Sequence, residues 1–433
     1  MKFNKDFLIG AATAAHQVEG NNTNSDFWTL EHLPNSVYRE PSLDAVDHYN
    51  HYEEDIKMMA DAGLTAYRFS IEWARIQPTA DTFDEKEIAH YRDVIECCHR
   101  NGVTPLVTLH HFSAPKWLIS AGGWESEGTI EYFKNYTRRV VTDLGDIIPY
   151  VCTLNEANMG LQINRLIAKY MKQAAQAQQS PQDDKPKKDG VQTGLNLENT
   201  REKQMQYMIE AGAAFGVSPM EVQTFLNPRT EKGNEIIMRC HDEASKIIKE
   251  INPNIRVGIT LSLYDYQTVD GGEALAAKLW KEDFLQFLPY TKHNDFVGVQ
   301  NYTRKICGLD DIVEPDSDAK LTDMGNEYYP EALGNVIRAV AKDWDKEIVV
   351  TENGIATTND ADRVAFTKVA LEGVQSCIEE GINVTGYMHW SLMDNFEWQL
   401  GYRPKFGLIE VDRATQTRTP KESLRFLGSY SSK

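Results

Sequence analysis

Two glutamates are candidate functional residues, because each follows a short apolar run that is typical of a buried strand. Glu156 lies in Val151-Cys-Thr-Leu-Asn-Glu-Ala-Asn158, and Glu352 lies in Ile348-Val-Val-Thr-Glu-Asn-Gly-Ile355. Both segments predict a parallel strand with a polar carboxyl end. Two carboxylates at strand ends, far apart in the chain, indicate one shared pocket. Acid-assisted cleavage of a glycosidic bond needs such a pair, because one carboxyl protonates the leaving oxygen while the other attacks or orients water.

The elements that would position these carboxylates alternate along the chain. Eight apolar runs predict strands at residues 7–12, 66–70, 104–109, 150–154, 256–261, 296–299, 348–351 and 384–390. Apolar residues at helical spacing predict helices at 49–63, 85–102, 130–144, 235–251 and 361–381. This α/β alternation over 433 residues favours a single (β/α)8 TIM barrel with loop insertions over a doubly wound sheet. A dinucleotide site is disfavoured, since no glycine-rich fingerprint follows the first strand.

One polar stretch interrupts this alternation. Residues 173–194 are rich in Gln, Asp and Lys and nearly free of apolar core residues. Because four strands must still follow, we interpret the stretch as an exposed insertion in the fourth βα connection and not as a domain linker. Residues 1–433 are therefore expected to form a single catalytic barrel.

The amino-acid composition limits the classes of partner that the protein could bind. The net charge of −19, with 45 basic and 64 acidic residues, argues against nucleic acid or an anionic membrane as partner. No run approaches the roughly 20 apolar residues of a membrane span, and the first twenty residues lack a cleavable signal pattern. Six cysteines without framework spacing predict reduced thiols in a cytoplasmic protein. The oligomeric state stays open, a homo-oligomer included.

Candidate site residues are the polar and aromatic side chains that follow the predicted strands, because barrel chemistry lies at the carboxyl ends of the strands. They are Gln17, Glu19, Arg68, Glu72, Trp73, His110, His111, Asn155, Glu156, Gln300, Asn301, Tyr302, Glu352, Trp390, Asp394, Glu397 and Trp398. The mixture suits a sugar, whose hydroxyls need paired donors and acceptors and whose C–H face packs on an aromatic plane. Glu72 and Trp73 are interpreted as structural supports. His48 and His51 have a spacing used by metal sites, but no matching cluster accompanies them, so no metal is expected.

Together these motifs resemble glycoside hydrolase family 1, the β-glucosidase family. The resemblance runs from Phe7-Leu-Ile-Gly-Ala-Ala-Thr-Ala-Ala-His-Gln-Val-Glu-Gly20 to Phe406-Gly-Leu-Ile-Glu-Val-Asp412 and the Arg418-Thr-Pro-Lys421 segment. It implies a retaining hydrolase of carbohydrate metabolism that needs no cofactor and takes a small β-glycoside or oligosaccharide as substrate. The segment around Glu156 resembles the family's acid/base motif, and the segment around Glu352 resembles its nucleophile motif.

Other site residues follow from the same resemblance. Positions similar to the family's glycone-binding residues are Gln17, His111, Asn155, Trp390, Glu397 and Trp398. Arg68 and Tyr302 match residues that flank the nucleophile, and Tyr302 is also expected to contact the substrate. Gln300, which stands where the family has an asparagine, is expected to support them.

The expected mechanism assigns a different charge to each glutamate. Glu352 must be an anion to attack the anomeric carbon, and both Arg68 and a hydrogen bond from Tyr302 would favour that form. Glu156 must start protonated, which requires a raised pKa. Asn155 is expected to bind the hydroxyl at C2. A retaining mechanism predicts about 5–5.5 Å between the two carboxyl groups.

Several residues depart from the family pattern. Ala157 replaces the usual proline after the acid/base, which we expect to loosen the backbone there. Phe112 replaces a tryptophan after His111, and residues 159–228 lack the family's familiar pieces, which leaves the natural aglycone open. Phosphosugar-specific relatives typically carry serine at the position of Glu397 and a lysine at that of Pro404. An unphosphorylated hexose such as glucose is therefore favoured, with galactose or fucose tolerated, although Arg403 and Lys405 keep a 6-phospho-β-glycosidase as an alternative.

Three further functions stay open at this point. A transglycosylase would use the same covalent intermediate and pass the sugar to an alcohol. A sugar-binding pseudoenzyme would keep the pocket without turnover. A nicotinamide oxidoreductase is the weakest alternative, because the chain has no phosphate-cradling glycine loop.

Overall fold

The barrel is formed by eight parallel strands. The computed structural model describes residues 2–177 and 194–432. The strands are β1 (Leu8–Ala12), β2 (Ala66–Ser70), β3 (Thr104–His110), β4 (Tyr150–Leu154), β5 (Arg256–Ser262), β6 (Phe296–Gln300), β7 (Glu347–Asn353) and β8 (Val384–Trp390). They pair in chain order, and β1 closes the ring against β8 with Ala12 opposite Trp390. The predicted (β/α)8 barrel is confirmed, and each predicted strand bound lies within two residues of the observed one.

Helices alternate with these strands. The longer ones are His48–Asp61, Glu85–Arg100, Gly128–Leu144, Met159–Ala177, Arg201–Phe215, Glu231–Ile251, Glu273–Asp283, Ala332–Val340, Asp360–Glu379 and Glu422–Gly428. Shorter helices are Ala15–Val18, Asp26–Glu31, Trp73–Ile76 and Lys116–Ser120. Side chains of Asp84, Thr230 and Asn359 accept backbone N–H groups of the first turn that follows each of them. Such caps satisfy donors that a helix start leaves unpaired. All five predicted helices are confirmed.

Small sheets and 3₁₀ turns lie outside the barrel strands. Asp265–Thr268, Arg304–Cys307 and Ile312–Val313 form one sheet, and Ile409–Asp412 pairs with Thr417–Pro420. The 3₁₀ turns are Gly123–Glu125, Pro219–Glu221, Leu285–Tyr290 and Trp398–Leu400. None of the described helices combines the length and apolar character needed to span a bilayer.

The barrel interior is filled with side chains, so a ligand site must lie at one of its ends. Ala12, Ala66, Leu106, Cys152, Phe296, Val349 and Met388 share one buried cluster. Gly258 makes room for Phe296, because a Cβ at Gly258 would lie 2.4 Å from the phenyl ring. A larger buried cluster includes residues of both the strands and the surrounding helices.

The predicted insertion at 173–194 falls largely outside the described residues. Its first residues continue the helix Met159–Ala177, and residues 178–193 are not among those described. Gly194, its last residue, is buried, whereas an exposed residue was predicted. The reason is its contact with Glu397, where a Cβ on Gly194 would come within 2.4 Å of the Glu397 carbonyl oxygen.

Candidate active site

Glu352 lies near the carboxyl end of β7, and each of its carboxylate oxygens accepts one short hydrogen bond. Arg68 on β2 donates from Nη1 to Oε1 at 2.6 Å. Tyr302, just beyond β6, donates from its hydroxyl to Oε2 at 2.6 Å. Charge-assisted bonds of this length are the strong ones, so the Glu352 carboxylate is held in one orientation.

Asn155 connects this pair to the rest of the pocket. Its Oδ1 accepts hydrogen bonds from Arg68 Nη2 at 2.6 Å and from Gln300 Nε2 at 2.8 Å. Its amide nitrogen lies 3.0 Å from Nε2 of His111. These partners fix the amide with its NH2 group toward His111. Burial lowers the pKa of His111 well below its ordinary value, so the ring is neutral and Nε2 accepts.

Glu156 follows β4 with its backbone in the left-handed region, at a φ of 42°. Its N–H donates to Thr260 Oγ1 at 3.0 Å, and its carboxyl group is hydrogen-bonded to Ser262. Its Oε1 is buried and has no hydrogen-bond partner among the described residues. A non-glycine residue in this conformation costs about 1–3 kcal/mol and persists where surrounding contacts hold it. The contacts from β5 hold this glutamate.

Ala157 is more restrained than the sequence suggests. Its N–H donates to the carbonyl of Thr260 at 3.1 Å, and its carbonyl accepts from Arg229 Nη1 at 2.7 Å. The expectation that Ala157 loosens this backbone is therefore wrong. Proline has no N–H and would lose the bond to Thr260.

The two glutamates differ in what acts on their pKa values. Burial, and then the charge of Glu352, raises the pKa of Glu156 well above its ordinary value. Burial also raises the pKa of Glu352, but Arg68 and Tyr302 oppose the rise. Repulsion between two buried carboxylates favours a single shared negative charge. That charge is more stable on Glu352, because the cation and the phenol lie against it.

Glu397 and Gln17 form a second polar group. Gln17 Nε2 donates to the carbonyl of Phe396 at 2.7 Å and to Glu397 Oε2 at 3.3 Å. Burial, and then the charge of Glu352, raises the pKa of Glu397 to about 8. Gln17 Oε1 is buried with no partner among the described residues, which leaves an acceptor for a ligand.

Aromatic rings enclose the same space. His111 lies against Trp390 with ring centroids 5.5 Å apart and against Trp398 at 6.3 Å. Trp398 also stacks on His16 at 5.9 Å with an angle of 3° between the planes. The hydrogen bonds, ring contacts and charge interactions described above involve all eleven residues that were predicted to be catalytic, substrate-binding or supporting. They are Gln17, Arg68, His111, Asn155, Glu156, Gln300, Tyr302, Glu352, Trp390, Glu397 and Trp398.

The other strand-end candidates have structural partners. Glu19 pairs with Arg75 at 2.8 Å, and Asp394 pairs with Lys421 at 2.9 Å. Glu72 caps a short helix that begins with Trp73. His110 packs on Trp124, Asn301 donates to the carbonyl of Leu263, and His48 contacts Asp55. Within 2–177 and 194–432, no group of three or more His, Cys, Asp or Glu residues has the arrangement of a metal site.

Sequence reasoning missed Thr260 and Ser262, which contact Glu156 from β5. They occupy alternate positions of Gly258-Ile-Thr-Leu-Ser262 and therefore share one face of the strand. Two hydroxyls on the inward face at a strand's carboxyl end were the available indication. The sequence offered no comparable indication for Gly194.

Comparisons with known proteins agree with this geometry. A model of glycosyl hydrolase family 1 matches residues 1–433. Beta-glucosidase A of Acetivibrio thermocellus is 27% identical over 482 residues, covering 97% of this chain and 96% of its own. The crystal structure of the beta-glycosidase BGL167 matches with a TM-score of 0.87 and 44% identity, covering 99% of this chain and 96% of its own. The apo structure of a beta-glucosidase 1317 matches with a TM-score of 0.82 and 38% identity, over 98% and 97% of the two chains.

Proposed function

This chain belongs to glycosyl hydrolase family 1, and from that premise we propose that it is a retaining β-glucosidase acting on unphosphorylated β-linked glycosides. The observation that carries the proposal is the unequal environment of two coupled carboxyl groups. Glu352 has a donor 2.6 Å from each oxygen, whereas the pKa of Glu156 is raised by burial and by the charge of Glu352.

Glu352 is the proposed nucleophile. One of its oxygens attacks the anomeric carbon, forming a glycosyl ester as the bond to the leaving oxygen breaks. Arg68 and Tyr302 stabilise the anion before attack and orient it toward the sugar. Asn155, fixed by the same guanidinium, is placed to bind the neighbouring hydroxyl at C2, where contacts strengthen in the transition state.

Glu156 is the proposed acid and then base. In the free enzyme it carries the proton that the leaving oxygen takes. Once Glu352 has become a neutral ester, the charge that raised the pKa of Glu156 is gone. The pKa of Glu156 therefore falls when it must accept a proton from water. The water attacks the anomeric carbon, whose bond to the Glu352 oxygen breaks, and the sugar is released with its configuration retained.

Glu397 and Gln17 are the proposed contacts to the sugar hydroxyls remote from the anomeric carbon, with Trp390 and Trp398 against its C–H face. A buried carboxyl at this place disfavours a phosphate on the sugar, because Glu397 supplies no positive charge to pair with the phosphate and would repel it when ionised. Arg403, which kept a 6-phospho-β-glycosidase open as an alternative, is exposed.

The six cysteines all lie among the described residues and form no disulfide bonds. Free thiols favour a reducing compartment, and we propose the cytoplasm.

The test is hydrolysis of a nitrophenyl β-glucoside, with the anomer of the first-formed glucose identified by proton NMR. The wild-type chain should release the β-anomer, and Glu352→Gln should lose several orders of magnitude in kcat because an amide cannot form the ester. Glu410→Gln, at an exposed position, is the matched control and should match wild type. Release of the α-anomer, or a Glu352→Gln variant with the wild-type rate, would refute the proposal.

A further inference from the structure

The fourth βα connection returns to the pocket at residues 194–196, beside the turn that carries Glu397. The N–H of Gln399 donates to the carbonyl of Gly194 at 3.0 Å. The N–H of Asn196 donates to Gln399 Oε1 at 3.0 Å. Two hydrogen bonds of opposite direction therefore attach the 194–196 segment to the residue that follows Trp398.

Contact with Glu397 itself is closer still. A Cβ on Gly194 would lie 2.4 Å from the carbonyl oxygen of Glu397 and 3.0 Å from its Cγ. Separations this short between a Cβ and backbone atoms are repulsive, so only glycine allows the segment to pack here. The backbone N–H of Gly194 also faces the carboxyl group and partly offsets the rise in its pKa that burial causes.

The 194–196 segment is anchored on its other side as well. Asn196 Nδ2 donates to the carbonyl of Val37 at 2.9 Å, and the N–H of Arg39 donates to the carbonyl of Gln399 at 3.0 Å. Residues 37–39 and 194–196 thus hold the Glu397–Gln399 turn between them. The turn needs this support, because Trp398 has a φ of 46°, a conformation that is costly without surrounding contacts.

Resting on the proposed function, we propose that Gly194 is a specificity-positioning residue of the glycone pocket. It lets the fourth connection pack against Glu397 and hold that carboxyl group where the sugar's remote hydroxyls bind. Gly194 acts through Glu397 and makes no contact with the reacting atoms. Glucoside recognition in this chain then depends on a segment outside the eighth strand and its own loop.

The two sides of the sugar distinguish this role from a general structural one. Contacts near the anomeric carbon, from Asn155 and Glu352, serve a β-glucoside and a β-xyloside equally. A xyloside lacks the hydroxymethyl group at C5, so it has less to gain from a correctly placed Glu397. Displacing the segment should therefore weaken glucoside binding more than xyloside binding.

The experiment compares Gly194→Ala with wild type by measuring kcat and KM for nitrophenyl β-glucoside and β-xyloside. The added methyl group should raise KM for the glucoside and lower the glucoside-to-xyloside ratio of kcat/KM about tenfold, the effect of one lost hydrogen bond. Gly216→Ala is the matched control, since it lies in the same connection, and a Cβ there would meet nothing within 4 Å. Its left-handed φ of 69° makes it destabilise the connection without touching Glu397, so its ratio should stay at the wild-type value.

A second pair of variants keeps the test decisive if Gly194→Ala folds poorly. Gln399→Ala removes the acceptor for the Asn196 N–H and should lower the ratio, while Gln399→Glu keeps an oxygen there and should restore it. Binding of both glycosides in the Glu352→Gln background, measured by calorimetry, should show the same change in ratio without turnover. Absence of glycoside hydrolysis by the wild-type chain would count against the proposed function and would leave the role of Gly194 to the binding measurements. An unchanged ratio in Gly194→Ala and Gln399→Ala, in rates and in binding, would overturn the role of Gly194.

Discussion

Arg68 and Glu352 form a buried ion pair with nitrogen and oxygen 2.6 Å apart and side-chain exposures of 0% and 5%. The second terminal nitrogen of Arg68 holds Asn155 at the same distance of 2.6 Å. One planar guanidinium therefore orients both the proposed nucleophile and the proposed contact to the C2 hydroxyl. Arginine suits this place because its donors have fixed directions and its charge persists when buried.

Arg68→Lys tests this double role. An ammonium group cannot donate along both of the arginine's directions, so we expect kcat/KM for a β-glucoside to fall about 10²-fold, as for a small misplacement of reacting groups. Arg68 lowers the pKa of Glu352, so a weaker pairing raises that pKa and moves the acidic limb of the pH profile to higher pH. Arg75→Lys, in the Glu19 pair, is the control and should leave that limb in place. An unshifted limb in Arg68→Lys would contradict the electrostatic part of the assignment.

Glu156→Ala tests the proposed acid through the leaving group. A dinitrophenolate leaves without a proton, whereas an alkyl alcohol needs one. We therefore expect the first chemical step to lose little rate with dinitrophenyl β-glucoside and at least about 10²-fold with an alkyl β-glucoside, the usual effect of general acid catalysis. Single-turnover kinetics would measure this step alone. Equal losses for both substrates would show that Glu156 acts in some way other than as the acid.

Glu397 leads to a prediction about phosphorylated sugars. Its buried carboxyl should disfavour a 6-phosphate, so kcat/KM for a nitrophenyl β-glucoside should exceed that for its 6-phosphate by at least about tenfold, or roughly 1.4 kcal/mol. The comparison needs only the two substrates at one pH with the wild-type chain. Comparable activity on both would overturn the preference for unphosphorylated glycosides.

The barrel and most of its candidate site could be predicted because the relevant information is local. Each strand appears in the sequence as an apolar run, and a closed parallel barrel brings all their carboxyl ends to one mouth. Once Glu352, Arg68 and Tyr302 were placed at strand ends, their convergence followed from the topology, and the hydrogen bonds at 2.6 Å agree with it.

What could not be predicted depends on contacts between distant segments. Nothing near Gly194 in the sequence indicates that it packs on Glu397, since the contact joins residues that are far apart in the chain. Likewise, the sequence suggests that Ala157 loosens the backbone, whereas two backbone hydrogen bonds, to Thr260 and Arg229, hold it in place. Both features depend on residues that are distant in the sequence, and the residue type at position 157 or 194 does not indicate those partners.

Asp26 is a buried acid outside the pocket, and its ionisation should contribute to how stability depends on pH. It begins the helix Asp26–Glu31, and its Oδ1 accepts from the N–H groups of Phe27 at 2.8 Å and Ala114 at 3.0 Å. Its Oδ2 is buried without a hydrogen-bond partner among the described residues. Burial raises the pKa of Asp26 to about 7, so the folded chain holds a proton that the unfolded chain releases above about pH 4.

Between those two pKa values Asp26 is protonated more in the folded than in the unfolded state, so its contribution to the free energy of unfolding falls as pH rises from about 4 to about 7 and then levels off. Asp26→Asn keeps an acceptor at Oδ1 and cannot ionise. We expect it to lose this contribution, so that its stability relative to wild type improves by up to about 4 kcal/mol across the window. Urea unfolding at several pH values between 4 and 8 measures this. Other buried groups also contribute to the total slope, because burial raises the pKa of Glu72 to about 7 and lowers that of His110 to about 3. Asp81→Asn, an exposed control, should keep the wild-type slope, and an equal slope in Asp26→Asn would mean that Asp26 is already charged in the folded chain.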